Sequence, residues 1–105
     1  MASVKIGPYN YSIEITNAQD TDGFDNERWG DCRSDKLRIR IHEQADGEIA
    51  TVVLVHEMLH ALEYLMGQDL GEPVIRALSP LLVCALEDNG VDLTPLADII
   101  GEARK

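Results

Sequence analysis

The spacing of apolar and polar positions changes period once along the chain. Residues 11–16 (YSIEIT) alternate and are rich in β-branched side chains, which predicts a strand following a turn at Gly7-Pro8. Residues 36–43 (KLRIRIHE) also alternate. Leu37, Ile39 and Ile41 share a face expected to point inward; Lys36, Arg38, Arg40 and His42 share one expected to meet solvent. Long charged side chains on one face predict a half-exposed strand at a sheet edge. Between the two, residues 17–35 are dense in Asp, Asn and Gly, and predict a polar loop anchored by Phe24 and Trp29.

Beyond residue 46 the period becomes helical. Asp46 is a candidate N-cap, Glu48 suits a first turn, and the helix is expected to run to Gly67, a natural stop. A second helix is predicted over residues 70–89, with Pro80 expected to kink it or divide it in two. A third is predicted over residues 95–104, capped by Thr94, with Pro95 in the first helical position. Strands followed by helices predict an α+β fold: a small N-terminal β-sheet, then a central helix and one or two further helices. A length of 105 residues suits a single domain covering 1–105.

The first helix holds an anomaly. Its most apolar segment, TVVLVHEMLHALEY (residues 51–64), carries His56, Glu57 and His60. The run from 49 to 66 is long enough to span a membrane. Its two histidines and two glutamates make a buried helix the better expectation. His56-Glu57-Met58-Leu59-His60 is an HExxH sequence. On a helix, positions i and i+4 lie one turn apart on one face, so both imidazoles can reach a single cation. Glu57 is rotated by about 100° from His56. From there a carboxylate can take a proton from a metal-activated water without ligating the metal. With three histidines and nine glutamates in the chain, a chance HExxH arises on the order of once in a hundred. The plain alternative is a pair of hydrogen-bonded core histidines. Burying His, Glu and His together costs free energy unless they are paired or ligated, which favours the metal.

A third protein ligand is needed. The longer HExxHxxGxxH pattern is excluded, because Glu63 and Met66 stand at its glycine and histidine positions. Glu63 shares the histidine face but lies a turn beyond His60, where it either orients a histidine or is simply exposed. Carboxylates around the second helix remain: Asp69, Glu72, Glu87 and Asp88. Glu72 opens that helix and comes within reach if residues 67–71 fold back. Its competing role is a capping-box-like first turn with Asp69. Glu87 and Asp88 lie over about 20 Å further along the helix. His42, on the outer face of its strand, is a candidate alternative ligand or transition-state donor, but a surface residue is the expected reading. Tyr9, Tyr11 and Tyr64 are all candidate oxyanion donors, and nothing in the sequence selects among them.

Composition narrows the partners. Nineteen acidic against nine basic residues give a net charge of −10. That argues against nucleic acid and anionic membranes as partners, since both need a basic face. Cys32 and Cys84 form no CxxC pattern and are expected to be reduced, as in a cytoplasmic protein. The first residues (MASVKIGPYNYS) lack an apolar core of signal-peptide length, so nothing there indicates export.

In these residues the chain resembles the small HExxH zincins of phages and prophages. These are single-domain metallopeptidases of gluzincin type, loosely akin to ImmA/IrrE-like and SprT-like proteins. The resemblance covers Trp29-Gly30, the strand at 37–41, TVVLVHEMLHALEY and GEPVIRALSPLLVCALEDN. It implies a sheet, an active-site helix and a helix that opens with the ligand glutamate. His56, His60 and Glu72 would then hold Zn2+, with Glu57 as catalytic base.

Two functions compete on this footing. The first is a zinc-dependent peptidase acting on a peptide or protein substrate. The exposed strand at 36–43 would align an extended chain, with Arg38 and Arg40 favouring acidic side chains. The second is a catalytically silent, zinc-stabilised protein-binding module. A structural site has no need of a carboxylate beside the bound water, so Glu57 favours catalysis. A helical interaction protein without metal is the third reading.

Overall fold

Strands precede helices in the computed structural model, which describes residues 2–17 and 29–105. β1 (Ser3–Ile6) and β2 (Tyr9–Thr16) form an antiparallel hairpin, with Gly7 at φ 58° in the turn. β3 (Gly30–Arg33) and β4 (Arg38–His42) complete a mixed sheet of order β1-β2-β4-β3. β4 runs parallel to β2, pairing Ile39 with Ile13, and antiparallel to β3, pairing Arg40 with Asp31. The α+β expectation is met, with three helices after the sheet.

The strand read from KLRIRIHE therefore lies inside the sheet and not at its edge. Residues 34–36 form a 3₁₀ turn, and Leu37 takes a left-handed conformation (φ 50°) before β4 begins. The polar positions of β4 are not solvated either: Arg40 and His42 are each only 7% exposed. Local pairing explains how they tolerate burial. The Arg40 guanidinium grips the Asp31 carboxylate with two hydrogen bonds, and the His42 Nδ1 accepts from the Gln44 amide at 3.1 Å. Alternation located the faces of the strand correctly, but a polar face can be closed by partners as well as by water.

The edge position belongs to β3, which falls within the stretch expected to be loop. Its sequence, GDCR, has no periodic or β-branched signal and is drawn into the sheet by antiparallel pairing with β4. Trp29, just before β3, stays 40% exposed and sets its ring edge-on to His42 at 5.9 Å. Phe24, the other expected anchor, lies outside the described residues.

α1 (Gly47–Met66) is the element around which the rest assembles. Asp46 caps it by accepting from the Gly47 amide, and Gly67 ends it at φ 68°. One side packs on the sheet, where Leu54 and Ala61 meet the inner residues Ile13, Ile39 and Ile41. Ile39, Ile41 and Leu54 are fully buried, and each contributes about 1.5–3 kcal/mol through burial. At 20 residues α1 is long and apolar enough to cross a membrane, yet Ala50, Leu54, Val55 and Ala61 are buried within this fold. Ile49, Leu62, Tyr64 and Met66 remain exposed.

α2 (Glu72–Asp88) packs on α1 through Ile75, Ser79 and Val83. It runs unbroken through Pro80, where a kink or division was expected. The proline removes one amide and leaves the carbonyl four residues earlier, at Arg76, without its helical donor. One lost bond in a helix held by its packed face does not end it. α3 (Thr94–Ala103) begins at Thr94 itself, so Thr94 is the first helical residue and not the cap. Asp92 takes the capping work by accepting from the Thr94 amide at 2.9 Å. The helix docks on α1 and β2 through Ile100, and Arg104 beyond its end donates to the carbonyls of Glu43 and Ala45.

Gly30 is where sheet and helix come closest. A Cβ there would lie 2.7 Å from Val53 Cγ1, 3.0 Å from the Arg40 carbonyl oxygen and 3.2 Å from Glu57 Cγ. Gly30→Ala should therefore push β3 off α1 and cost about 1–3 kcal/mol, as overpacking does. A thermal melt followed by circular dichroism should show a Tm lower by at least several degrees. An unchanged Tm would mean that β3 is not pressed against α1.

Candidate metal centre

Helical geometry sets the first two groups. His56 and His60 stand one turn apart on α1, with ring centroids 4.9 Å apart and Nε2 atoms 3.2 Å apart. The loop 67–71 then reverses the chain so that α2 returns along α1. Its first residue, Glu72, brings one carboxylate oxygen 3.0 Å from His56 Nε2 and the other 2.8 Å from His60 Nε2. The contacts of Glu72 are with the two histidines and, at 3.6 Å, with Arg76, and α2 has no side-chain cap. Asp69 Oδ1 accepts from the Gly71 amide at 2.9 Å.

Two imidazole nitrogens and the two oxygens of one carboxylate thus face one point. Ligands about 2.0–2.1 Å from a tetrahedral zinc are about 3.3 Å from one another. The observed separations of 2.8–3.2 Å fall slightly inside that spacing, so small side-chain adjustments would admit the ion. Chemistry agrees with spacing. Two imidazole nitrogens and a carboxylate are a usual zinc donor set. Burial lowers the His56 pKa below its ordinary value against the opposing pull of Glu72, and the neighbouring His60 adds to the lowering. The neutral ring, which is the ligating form, is favoured.

Glu63 governs the geometry from behind. Its Oε1 lies 2.6 Å from His60 Nδ1, so that nitrogen carries the proton and Nε2 turns its lone pair to the site. Its Oε2 accepts from the Leu70 amide at 2.6 Å and the Gly71 amide at 3.3 Å. One nearly buried carboxylate therefore fixes both a candidate ligand on α1 and the loop that delivers the candidate ligand on α2. Burial works against its charged form. Hydrogen bonds from the Leu70 amide, His60 and the Gly71 amide outweigh burial and hold the carboxyl below its usual range. Of the two roles open to Glu63, exposure is excluded and orientation is what its contacts describe.

Glu57 is buried, with 5% exposure, and its Cγ lies against Gly30 on the β3 side. Together with Glu72 and the two histidines it lines a cleft of about 650 Å³. α1 forms the floor, β3 one wall and α2 the other. Trp29, Val52, Val53 and Pro80 line the cleft as well; Arg33 and Arg76 are its cations apart from the histidines, among the described residues. Cys32 projects from β3 into the same cleft; burial chiefly pushes its thiol up from 9.0 to about 11, and Glu57 adds to the rise. Both cysteines are free thiols.

The remaining sequence candidates lie elsewhere. Glu87 hydrogen-bonds Glu48 at the start of α1, far along the helix from His60, and Asp88 is the last residue of α2. His42 is buried against Trp29 and is not a surface residue, and it does not line the cleft. Tyr11 is fully buried and donates to Ser34 Oγ at 3.1 Å. Tyr9 sits at the start of β2, away from the β3 edge, and Tyr64 lines a separate hollow beyond His60. Sequence reasoning overlooked Trp29 as a cleft residue, and also Cys32, Arg33 and Arg76. Arg76 had a legible signal: it follows Glu72 by one helical turn.

No protein-family model, curated protein or solved structure matches this chain.

The position of Glu63 predicts a measurable effect. Glu63→Gln should weaken zinc binding by about 10–100-fold in competition with a chromophoric chelator, the usual cost of losing a ligand's outer partner. Glu87→Gln should bind as the wild type does. Equal affinities in all three proteins would remove Glu63 from the account.

Proposed function

We propose that this chain is a zinc-dependent metallopeptidase that hydrolyses peptide bonds in a peptide or protein substrate. The observation that carries the reading is the convergence of His56, His60 and Glu72 in a cleft that also holds the buried carboxylate of Glu57. A bound zinc would supply Lewis acidity, lowering the pKa of a water and polarising a carbonyl. His56 and His60, oriented from α1, and Glu72, brought by α2, would hold the ion. Glu57 would accept the proton of the attacking water and return it to the leaving nitrogen. Its place in the lining of the same cleft as the two histidines and Glu72 supports this role.

Substrate alignment moves from the strand first suspected to its neighbour. β4 is paired on both sides and offers no free edge. β3 is the terminal strand of the described sheet and walls the cleft, so its backbone is the one able to pair with an extended peptide. Arg40, engaged with Asp31, drops out as a specificity group.

Zinc-loaded protein incubated with a peptide library and followed by mass spectrometry tests the reading. Wild type should cleave, a zinc chelator should stop it, and Glu57→Gln should retain zinc while turnover falls by about 10²–10⁴-fold. Stoichiometric zinc without any cleavage would instead identify a zinc-stabilised binding module.

A further inference from the structure

We propose that Arg76 is the oxyanion donor of this site, the group that meets the negative charge developing on the scissile carbonyl. The inference rests on the peptidase reading and assigns a role that the sequence left open among three tyrosines and His42. None of those tyrosines lines the cleft, whereas Arg76 does. Its Nη2 lies 3.6 Å from Glu72 Oε1, the oxygen that itself lies 3.0 Å from His56 Nε2. A guanidinium is thus held within one side-chain length of the point where the donor atoms converge.

Position and mobility both suit the task. Glu57 lies against β3, and Arg76 rises from α2, the facing wall. Base and cation therefore approach the reacting carbonyl from different sides, so the base does not neutralise the cation. The Arg76 side chain is 75% exposed, and its contact with Glu72 is longer than a good hydrogen bond. It is free to turn toward a substrate oxygen. Arg33, the other cleft cation, stands on the β3 wall and borders the hollow beyond His60 with Ser34, Asp35 and Tyr64. It makes no ion pair with Glu72 or either histidine, whereas Arg76 contacts Glu72.

The chemistry balances around these two groups. Water attacks the carbonyl carbon, forming a C–O bond while its proton passes to Glu57. The carbonyl π pair moves onto oxygen, and this is the anion that Arg76 stabilises. Collapse restores the C=O bond and breaks the C–N bond. The nitrogen leaves with the electron pair and takes the proton from Glu57. The plain alternative is an i,i+4 surface pair with Glu72, which would influence the helix slightly and the reaction not at all.

Two probes separate these roles in zinc-loaded protein. A leucyl-alanine phosphonamidate is a tetrahedral anion resembling the intermediate, and a thiol analogue of the same dipeptide engages the metal through one sulfur. In calorimetric titrations, Arg76→Met should lose about 10²-fold in phosphonamidate affinity, in line with removal of an oxyanion donor. Its zinc content and thiol affinity should be unchanged, and Arg76→Lys should regain part of the loss. If Arg76→Met binds both probes as wild type does, or loses both in parallel, the assignment is overturned and the peptidase reading stands. If zinc-loaded wild type binds neither probe, there is no open coordination position, and the peptidase reading falls together with the inference.

Discussion

The site depends on the carboxylate of Glu63. Its two oxygens reach in two directions, one to His60 Nδ1 and the other to the amides of Leu70 and Gly71. The first contact sets which imidazole nitrogen faces the cleft. The second closes the turn after which α2 begins, and so decides where Glu72 arrives. Without that turn, two histidines on α1 would share a face with nothing opposite them. A buried carboxylate is costly unless hydrogen-bonded, and this one accepts from an imidazole N–H and two backbone amides at once. The same satisfaction that makes it tolerable also makes it stiff.

That stiffness is set against a deliberate softness elsewhere. α1 is fixed between sheet and helices by Leu54, Ala61 and their neighbours, so His56 and Glu57 cannot drift. Gly30 lets β3 approach the helix closely enough for the backbone edge and the Glu57 carboxylate to border one cleft. Arg76, by contrast, is an exposed arm on the far wall. Under the peptidase proposal, packed groups would hold the ion and move the proton while one exposed cation met the charge as it developed.

The sequence was most legible where chemistry and periodicity coincided. The spacing of His56 and His60 on a helix, the stop at Gly67 and the opening of α2 near Glu72 followed from short-range rules. Long-range pairing was hidden. GDCR carries no strand signal of its own, and only the backbone of β4 makes it β3, so both the true edge and the wall of the cleft were missed. For the same reason alternation alone reads β4 as an edge strand. Its arginine and histidine are buried through Asp31 and the Gln44 amide, partners that alternation cannot reveal. Thr94 failed as a cap because Asp92, two residues earlier, offered a better acceptor. Glu63 was ambiguous in the sequence because its amide partners exist only after the loop has folded back.

If His56, His60 and Glu72 hold a single zinc and the Cys32 thiol of the same cleft takes no part, zinc K-edge X-ray absorption on the metal-loaded protein should show it. One zinc per chain is expected, in a shell of nitrogen and oxygen at about 2.0–2.1 Å with the outer scattering of two imidazoles. Sulfur at about 2.3 Å, scattering from fewer than two imidazoles, or a chain that takes up no stoichiometric zinc would contradict it.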